Sequence, residues 1–161
     1  MSAALRPYQP SDFEALYLLD RVCYPPGIAY SKRMLRWYLA FPGAICTVAE
    51  AGDGVIAGFI LSCADPPEGY IITLDVAAEF RRHGAGSALY NHAENELVER
   101  GVREIELETA TGNAAGVAFW TRHGYRTDGL LPGYYLDRVD AFHMHKILDG
   151  RKSVRANAKE P

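Results

Sequence analysis

Hydrophobic and polar positions along this 161-residue chain follow two periods, and the switches between them lay out its elements. Ala3–Pro7 predicts a short first strand. From about residue 12 to 22, Phe13, Leu16, Leu19 and Asp20 share one helical face, apolar except at its end, with Ser11 or Asp12 as cap. Pro25-Pro26-Gly27 breaks that helix. Ser31 then caps a second one carrying Met34, Leu35, Tyr38 and Leu39, which Pro42-Gly43 ends. Ala44–Glu50 and Val55–Ala64 flank Gly52-Asp53-Gly54, a strong hairpin signal. Pro66-Pro67-Glu68-Gly69 turns the chain into an apolar, β-branched run at about 70–77, which predicts a buried central strand.

The second half repeats the alternation of periods. Leu89, Ala93 and Leu97 recur at helical spacing, Ala85 and Ala88 adjoin them, and Glu94, Glu96 and Glu99 fall mostly outside the stripe. Gly101 stops the helix. Glu104–Thr109 sets Ile105 and Leu107 against Glu104, Glu106 and Glu108, a strand with one wet face. Asn113 starts another helix through Val117, Phe119 and Trp120, stopped by Gly124. Tyr125–Leu131, a Pro132-Gly133 turn and Val139–Leu148 complete the pattern. The reading is α/β, with a mixed, mostly antiparallel sheet of six to seven strands and about four helices in one domain over residues 1–148. Residues 149–161 are polar and aperiodic, which predicts a flexible tail.

Composition narrows the class. Hydrophobic content of 48% with 23% charged residues is ordinary for a globular domain. The net charge is −3, and the last thirteen residues carry four positive and two negative groups, so residues 1–148 sum to −5. That balance argues against a general nucleic-acid binder and mildly favours a basic partner. Without a membrane-length apolar run or a signal-peptide pattern, the expectation is a cytoplasmic protein with no membrane partner. Cys23, Cys46 and Cys63 lack metal-ligand spacing and read as reduced, mostly buried thiols.

Between the central strand and its helix lies Arg81-Arg82-His83-Gly84-Ala85-Gly86. Glycines here let a ligand approach bare amides, and the first turn of a helix leaves its N–H groups without internal partners. With two arginines just before it, the turn suits a pyrophosphate. The other reading is a strand–helix corner where glycine serves packing alone. Neither the dinucleotide fingerprint nor the P-loop pattern occurs.

Arg-x-x-Gly-x-Gly after such a strand resembles the acyl-CoA signature of the GNAT N-acetyltransferase superfamily. Leu107-Glu108-Thr109-x-x-x-Asn113-x-x-Gly116-x-x-Phe119-Trp120-x-x-x-Gly124-Tyr125 is similar to the second half of that domain. The similarity is strongest in type to the Nα-acetyltransferases, including bacterial enzymes that acetylate a ribosomal protein's terminal alanine. Tyr70-Ile-Ile-Thr-Leu resembles the opening of the eukaryotic members' central strand. Tyr24-Pro25-Pro26-x-x-x-Tyr30 resembles their loop over the acceptor, with two extra residues, and Gly133-Tyr134-Tyr135-x-x-x-x-Asp140-Ala141-Phe142-x-Met144 resembles their ending.

The resemblance implies acetyl-CoA as acetyl donor, its pyrophosphate on Arg81, Arg82, His83, Gly84, Ala85, Gly86 and Ser87. Its pantetheine would pair with the backbone of Leu74, Asp75 and Val76 in a splay between the fourth and fifth strands, with a further contact from Asn113. It implies an acceptor site of Tyr24, Pro25, Tyr30, Ile72, Tyr134 and Tyr135. Glu108 would handle the amine's proton, with Tyr70 assisting. By alternation alone, Glu108 reads rather as a solvated strand carboxylate like Glu104 and Glu106.

One position departs from the family pattern. Trp120 stands where those enzymes usually carry a Tyr that protonates the leaving thiolate, and an indole cannot do so. It is either a packing residue or a sign of slowed transfer, with Tyr134, Tyr125 or ordered water as the substitute proton source. Asp75 reads as a buried or half-buried carboxylate and an alternative base, on the strand face opposite Tyr70 and Ile72. His143 and His145 share a strand face without a third ligand near in sequence, and so read as structural rather than metal-binding. The expected function is direct acetylation of a protein or peptide N-terminus by a monomer or homodimer. The rivals are a small-molecule amine acetyltransferase on the same fold, supported by the same motifs, and a non-catalytic acyl-CoA-binding domain, supported by Trp120.

Overall fold

The computed structural model describes residues 3–136 and 138–148 of the chain. The expected tail at 149–161 lies outside these. Seven strands and four α-helices alternate among the described residues: β1 (Ala4–Pro7), α1 (Phe13–Cys23), α2 (Lys32–Leu39), β2 (Ala44–Glu50), β3 (Ile56–Asp65), β4 (Glu68–Val76), α3 (Ala85–Glu99), β5 (Glu104–Ala110), α4 (Ala114–Arg122), β6 (Arg126–Leu131) and β7 (Ala141–Ile147). The strands follow the order β1-β2-β3-β4-β5-β7-β6 in one sheet. β1–β2, β2–β3, β5–β7 and β6–β7 pair antiparallel, while β4–β5 pairs parallel. The expected mixed, mostly antiparallel sheet is therefore the observed one.

Two compact units divide the described chain, one of residues 3–63 and 71–96, the other of 64–70 and 97–148. β4 contributes to both. In the first unit Phe13 and Leu16 of α1, Leu35 of α2, and Val48, Phe59 and Leu61 of the sheet form a buried cluster. Each such side chain contributes about 1.5–3 kcal/mol by leaving water. Ser31 caps α2 as expected, its hydroxyl accepting the Met34 amide at 3.1 Å. Asp12 does not cap α1. Its carboxylate accepts the Gln9 amide at 2.8 Å and binds Arg6 at 2.8 and 2.9 Å, closing the turn that precedes the helix.

α3 buries Leu89, Ala93 and Leu97 as the spacing predicts, but Glu94 is buried too. The Tyr90 hydroxyl donates to Glu94 Oε2 at 2.8 Å, so a neighbour one turn away satisfies a carboxylate the pattern puts outside.

In the second unit, Val102, Ile105, Leu107, Tyr125, Ala141 and Met144 are buried. The connection from β3 is shorter than expected: Pro66 and Pro67 alone make the turn, and β4 already begins at Glu68. Gly69, which reads as a turn glycine, is a strand residue. A Cβ there would sit 2.9 Å from Val102 Cγ1, so close packing of the strand requires its absence.

Candidate active site

The first unit holds the expected cofactor strand and turn. β4 alternates buried Ile71, Thr73 and Asp75 with less buried Ile72, Leu74 and Val76. At Asp75 the backbone comes so near β3 that a Cβ on Gly58 would lie 2.5 Å from the Asp75 carbonyl oxygen. Beyond β4, Arg82 (φ 66°) and Gly84 (φ 85°) both take the left-handed conformation. At Gly84 the position of a Cβ has no atom within 4 Å, and α3 begins one residue later. An open glycine next to helix amides that the helix itself cannot pair fits an anionic group such as a pyrophosphate. Arg81 is turned the other way: its Nε donates to the Val76 carbonyl at 2.9 Å, and its NH2 lies 3.6 Å from Cys23 Sγ.

The loop after α1 grips the same strand. The Tyr24 hydroxyl donates to the Leu74 carbonyl at 2.9 Å, the Tyr30 hydroxyl to that of Ile72 at 3.3 Å, and the Cys23 thiol to that of Val76 at 3.5 Å. Burial above all pushes the Tyr24 hydroxyl far above its ordinary range, so it stays a donor. Asp75 is 1% exposed on the face opposite Tyr70 and Ile72, as its alternation predicts. Burial first, and the Asp20 carboxylate second, raise it well above the usual carboxylate range. Burial in such a place disfavours the charged form.

The second unit carries a different constellation. The wet face of β5 bears Glu106 and Glu108, whose ladder partners on β7 are His145 and His143. His143 Nε2 lies 2.8 Å from Glu106 Oε1 and 3.9 Å from Glu108 Oε2, and its Nδ1 lies 2.5 Å from Asp128 Oδ1. His145 Nδ1 stands 2.8 Å from the other Asp128 oxygen. A neutral imidazole has one N–H; carboxylates on both ring nitrogens call for two, so the geometry favours the imidazolium. Partial burial works against that charge, but the hydrogen bonds to Asp128 and Glu106 outweigh it and raise His143 overall. The bond from His143, in turn, lowers Asp128.

Tyr134 is half exposed, and its hydroxyl donates to Glu108 Oε1 at 3.2 Å. Tyr135 is pushed up to about 12 by burial and by the charge of Glu108. Tyr70 donates to Glu68 Oε1 at 3.1 Å; that bond, with some burial, pushes it up to about 12 and keeps the hydroxyl protonated. The parallel β4–β5 ladder runs Glu68↔Glu104, Gly69↔Ile105 and Tyr70↔Glu106.

A model of the Acetyltransferase (GNAT) family matches residues 13–125. The chain belongs to this GNAT family. It is 32% identical over 158 residues to an uncharacterised N-acetyltransferase of Methanocaldococcus jannaschii, a match covering 98% of this chain and 95% of that one. It is also 36% identical over 117 residues to N-alpha-acetyltransferase 30 of Schizosaccharomyces pombe, covering 70% and 78%. The crystal structure of Ard1 from Thermoplasma volcanium superposes with a TM-score of 0.81 at 26% identity, covering 91% of this chain and 98% of that one. The protein is an N-acetyltransferase, as the sequence motifs implied.

Within this GNAT chain, Asn113 is the N-cap of α4, its Oδ1 accepting the Gly116 amide at 3.0 Å. A Cβ on Gly116 would lie 2.5 Å from Asn113 Nδ2, which explains the glycine at that spacing. Trp120 is 8% exposed and packs edge-on against Phe119 and Tyr125 at centroid distances of 4.9 and 5.4 Å. It is a packing residue. Tyr125, at 3% exposure, is buried beside it and poorly placed as a substitute acid, which leaves Tyr134 of the two hydroxyls considered. Sequence reasoning noticed His143 but not its partner Asp128, and placed Asp20 on the buried face of α1 without its partner Asp75. Asp128 sits where the β6–β7 register shifts between Thr127 and Gly129, an irregularity that no local pattern signals.

Proposed function

We propose that this protein transfers the acetyl group of acetyl-CoA directly to the N-terminal amine of a protein or peptide. The observation that carries the reading is the Glu108–Tyr134 pair on the wet face of β5 in a GNAT chain. A carboxylate acceptor with a hydroxyl already donating to one oxygen keeps its second oxygen for an incoming ammonium proton. Similarity to N-alpha-acetyltransferase 30 supports an N-terminal amine as acceptor.

Acetyl-CoA, when bound, supplies the activated acetyl thioester. Gly84 and the first-turn amides of α3, including those of Gly86 and Ser87, would hold its pyrophosphate, with Arg82 and His83 flanking. The backbone of Leu74–Val76 would align the pantetheine, and Asn113 would add a contact. Tyr24, Pro25, Tyr30, Ile72 and Tyr135 would line the acceptor's first residues. Glu108 takes the amine's proton, and Tyr134 offers the hydroxyl that returns one to the leaving sulfur. No helix among the described residues is long and apolar enough to cross a membrane.

The test is incubation with acetyl-CoA and a peptide library that contains free N-termini, blocked N-termini with lysines, and small amines. Acetyl mass on free N-termini is expected. Acetylation confined to lysine side chains or small amines would overturn the acceptor assignment. Gly84→Val should weaken acetyl-CoA binding by roughly tenfold to a hundredfold or more, since each phosphate hydrogen bond lost costs about 1.5–3 kcal/mol.

A further inference from the structure

Asp20 of α1 and Asp75 of β4 are each 1% exposed. Their side chains lie within hydrogen-bonding reach of each other. Each has one oxygen already satisfied: Asp20 Oδ2 accepts the Tyr30 amide at 2.6 Å, and Asp75 Oδ1 accepts the Thr73 hydroxyl at 2.6 Å. The other two oxygens, Asp20 Oδ1 and Asp75 Oδ2, have no donor among the described residues. Two buried carboxylates facing one another cost several kcal/mol, and two carboxyl oxygens bond only when a proton lies between them. One proton satisfies both orphan oxygens at once.

The groups around the pair offer no substitute. Cys23 and Tyr24 face Asp75 from the end of α1 and its loop, Cys46 from β2, and Arg81 from the turn after β4, while Arg21 acts on Asp20 from its own helix. Of these only the arginines are cations. Arg81 is engaged with the Val76 carbonyl, and Arg21 lies over the Tyr17 ring at 5.6 Å. Burial raises both aspartates; Asp20 Oδ2 takes the Tyr30 amide and Asp75 Oδ1 the Thr73 hydroxyl, but the Asp20 carboxylate raises Asp75 further, which favours the proton on Asp75.

We propose that Asp20 and Asp75 share one proton, and that this bond makes Asp20 a positioning residue that fixes the Tyr24–Tyr30 loop against β4. Asp75 donates to Asp20, Asp20 accepts from the Tyr30 amide, and the hydroxyls of Tyr24 and Tyr30 reach the carbonyls of Leu74 and Ile72 on the same strand. The chain of bonds ties the loop expected over the acceptor to the strand expected along the pantetheine. The consequence for the acceptor rests on the function proposed above; the shared proton itself does not.

The test separates the two. Infrared spectra of the unliganded protein at neutral pH should show a protonated-carboxyl stretch that disappears in Asp20→Asn, where the amide N–H₂ takes over as donor to an ionised Asp75. A spectrum without such a band, or with one that Asp20→Asn leaves intact, overturns the proposal whether or not any acceptor is acetylated. With an acetylated peptide in hand, Asp20→Ala should raise the KM for peptide about tenfold, the effect of one lost buried hydrogen bond, with acetyl-CoA affinity preserved. Asp20→Asn should restore that KM and make it independent of pH, whereas the wild-type KM rises on the alkaline side as the shared proton is lost. A wild-type KM as flat with pH as that of Asp20→Asn would also refute it.

Discussion

Each unit of this protein brings two carboxyl groups together, and the two pairs lie in opposite surroundings. Asp20 and Asp75 meet where both are buried, and no cation among the described residues bonds to either. Glu106 and Glu108 flank a histidine that Asp128 holds from its far side, on a partly wetted face. Charge is cheapest to keep where a counter-charge and water are at hand, and a proton is cheapest to keep where neither is. The first arrangement suits a fixed structural bond, and the second holds its carboxylates on a partly wetted strand face, where the proposed chemistry would take place. Two acids close together therefore do not identify a catalytic dyad; the surroundings decide.

The largest effect on this contrast should come from Glu108→Gln, which keeps shape and removes the proton acceptor. Turnover is expected to fall about 10²–10⁴-fold near neutral pH, the usual span for loss of a general base, and the deficit should shrink as pH rises and free amine becomes abundant. Steady-state rates across pH check this, and a wild-type profile would hand the role to another group or to water.

Breaking the buried pair should cost stability rather than chemistry. Asp20→Ala strands Asp75 and the Tyr30 amide together, which costs about 1–3 kcal/mol in urea unfolding. The pH dependence has a definite sign. Since folding raises the pair's proton affinity, the stability it contributes is complete below the ordinary aspartate range and is lost as pH rises through the folded value. Asp20→Asn should flatten that decline.

Smaller effects sharpen the other side. Tyr134→Phe removes a hydroxyl that is half exposed, so a several-fold loss of turnover is expected, about 1 kcal/mol, with acetyl-CoA affinity unchanged. Asp128→Asn should lower the titration midpoint of His143, followed by its ring proton in NMR. His143 is raised in the fold, so the stability it contributes is complete below the ordinary histidine value and lost as pH rises through the raised one. With Asp128 largely in water, the accompanying change in unfolding free energy should stay under about 1 kcal/mol. A His143 midpoint indifferent to Asp128→Asn would remove the counter-charge from the comparison.

Much of this was legible in the chain. The alternation of Ile105 and Leu107 with three glutamates is a strand with one wet face, because side chains in a strand point alternately to its two sides whatever it pairs with. Ser31 before an apolar helical stripe is a cap because the unpaired amides of a first turn are a local property. Those elements, their order and the glycine turn before α3 follow from interactions within a few residues. So did the prospect that Glu108 sits on a hydrated face and Asp75 in the interior.

What no local pattern contains is which distant groups meet. Glu94 looked exposed until Tyr90 and the packing of α3 enclosed it. Trp120 was ambiguous between packing and impaired chemistry until Phe119 and Tyr125 were seen against its ring. Asp128 reaches two histidines only because a register shift in β6 alters the pairing there, and Asp20 finds Asp75 only because α1 docks on the sheet in one rotation. Desolvation and charge pairing depend on such neighbours, not on sequence spacing. The chain's periodicity determined the elements and their faces; the tertiary fold alone decided which carboxyl keeps its proton.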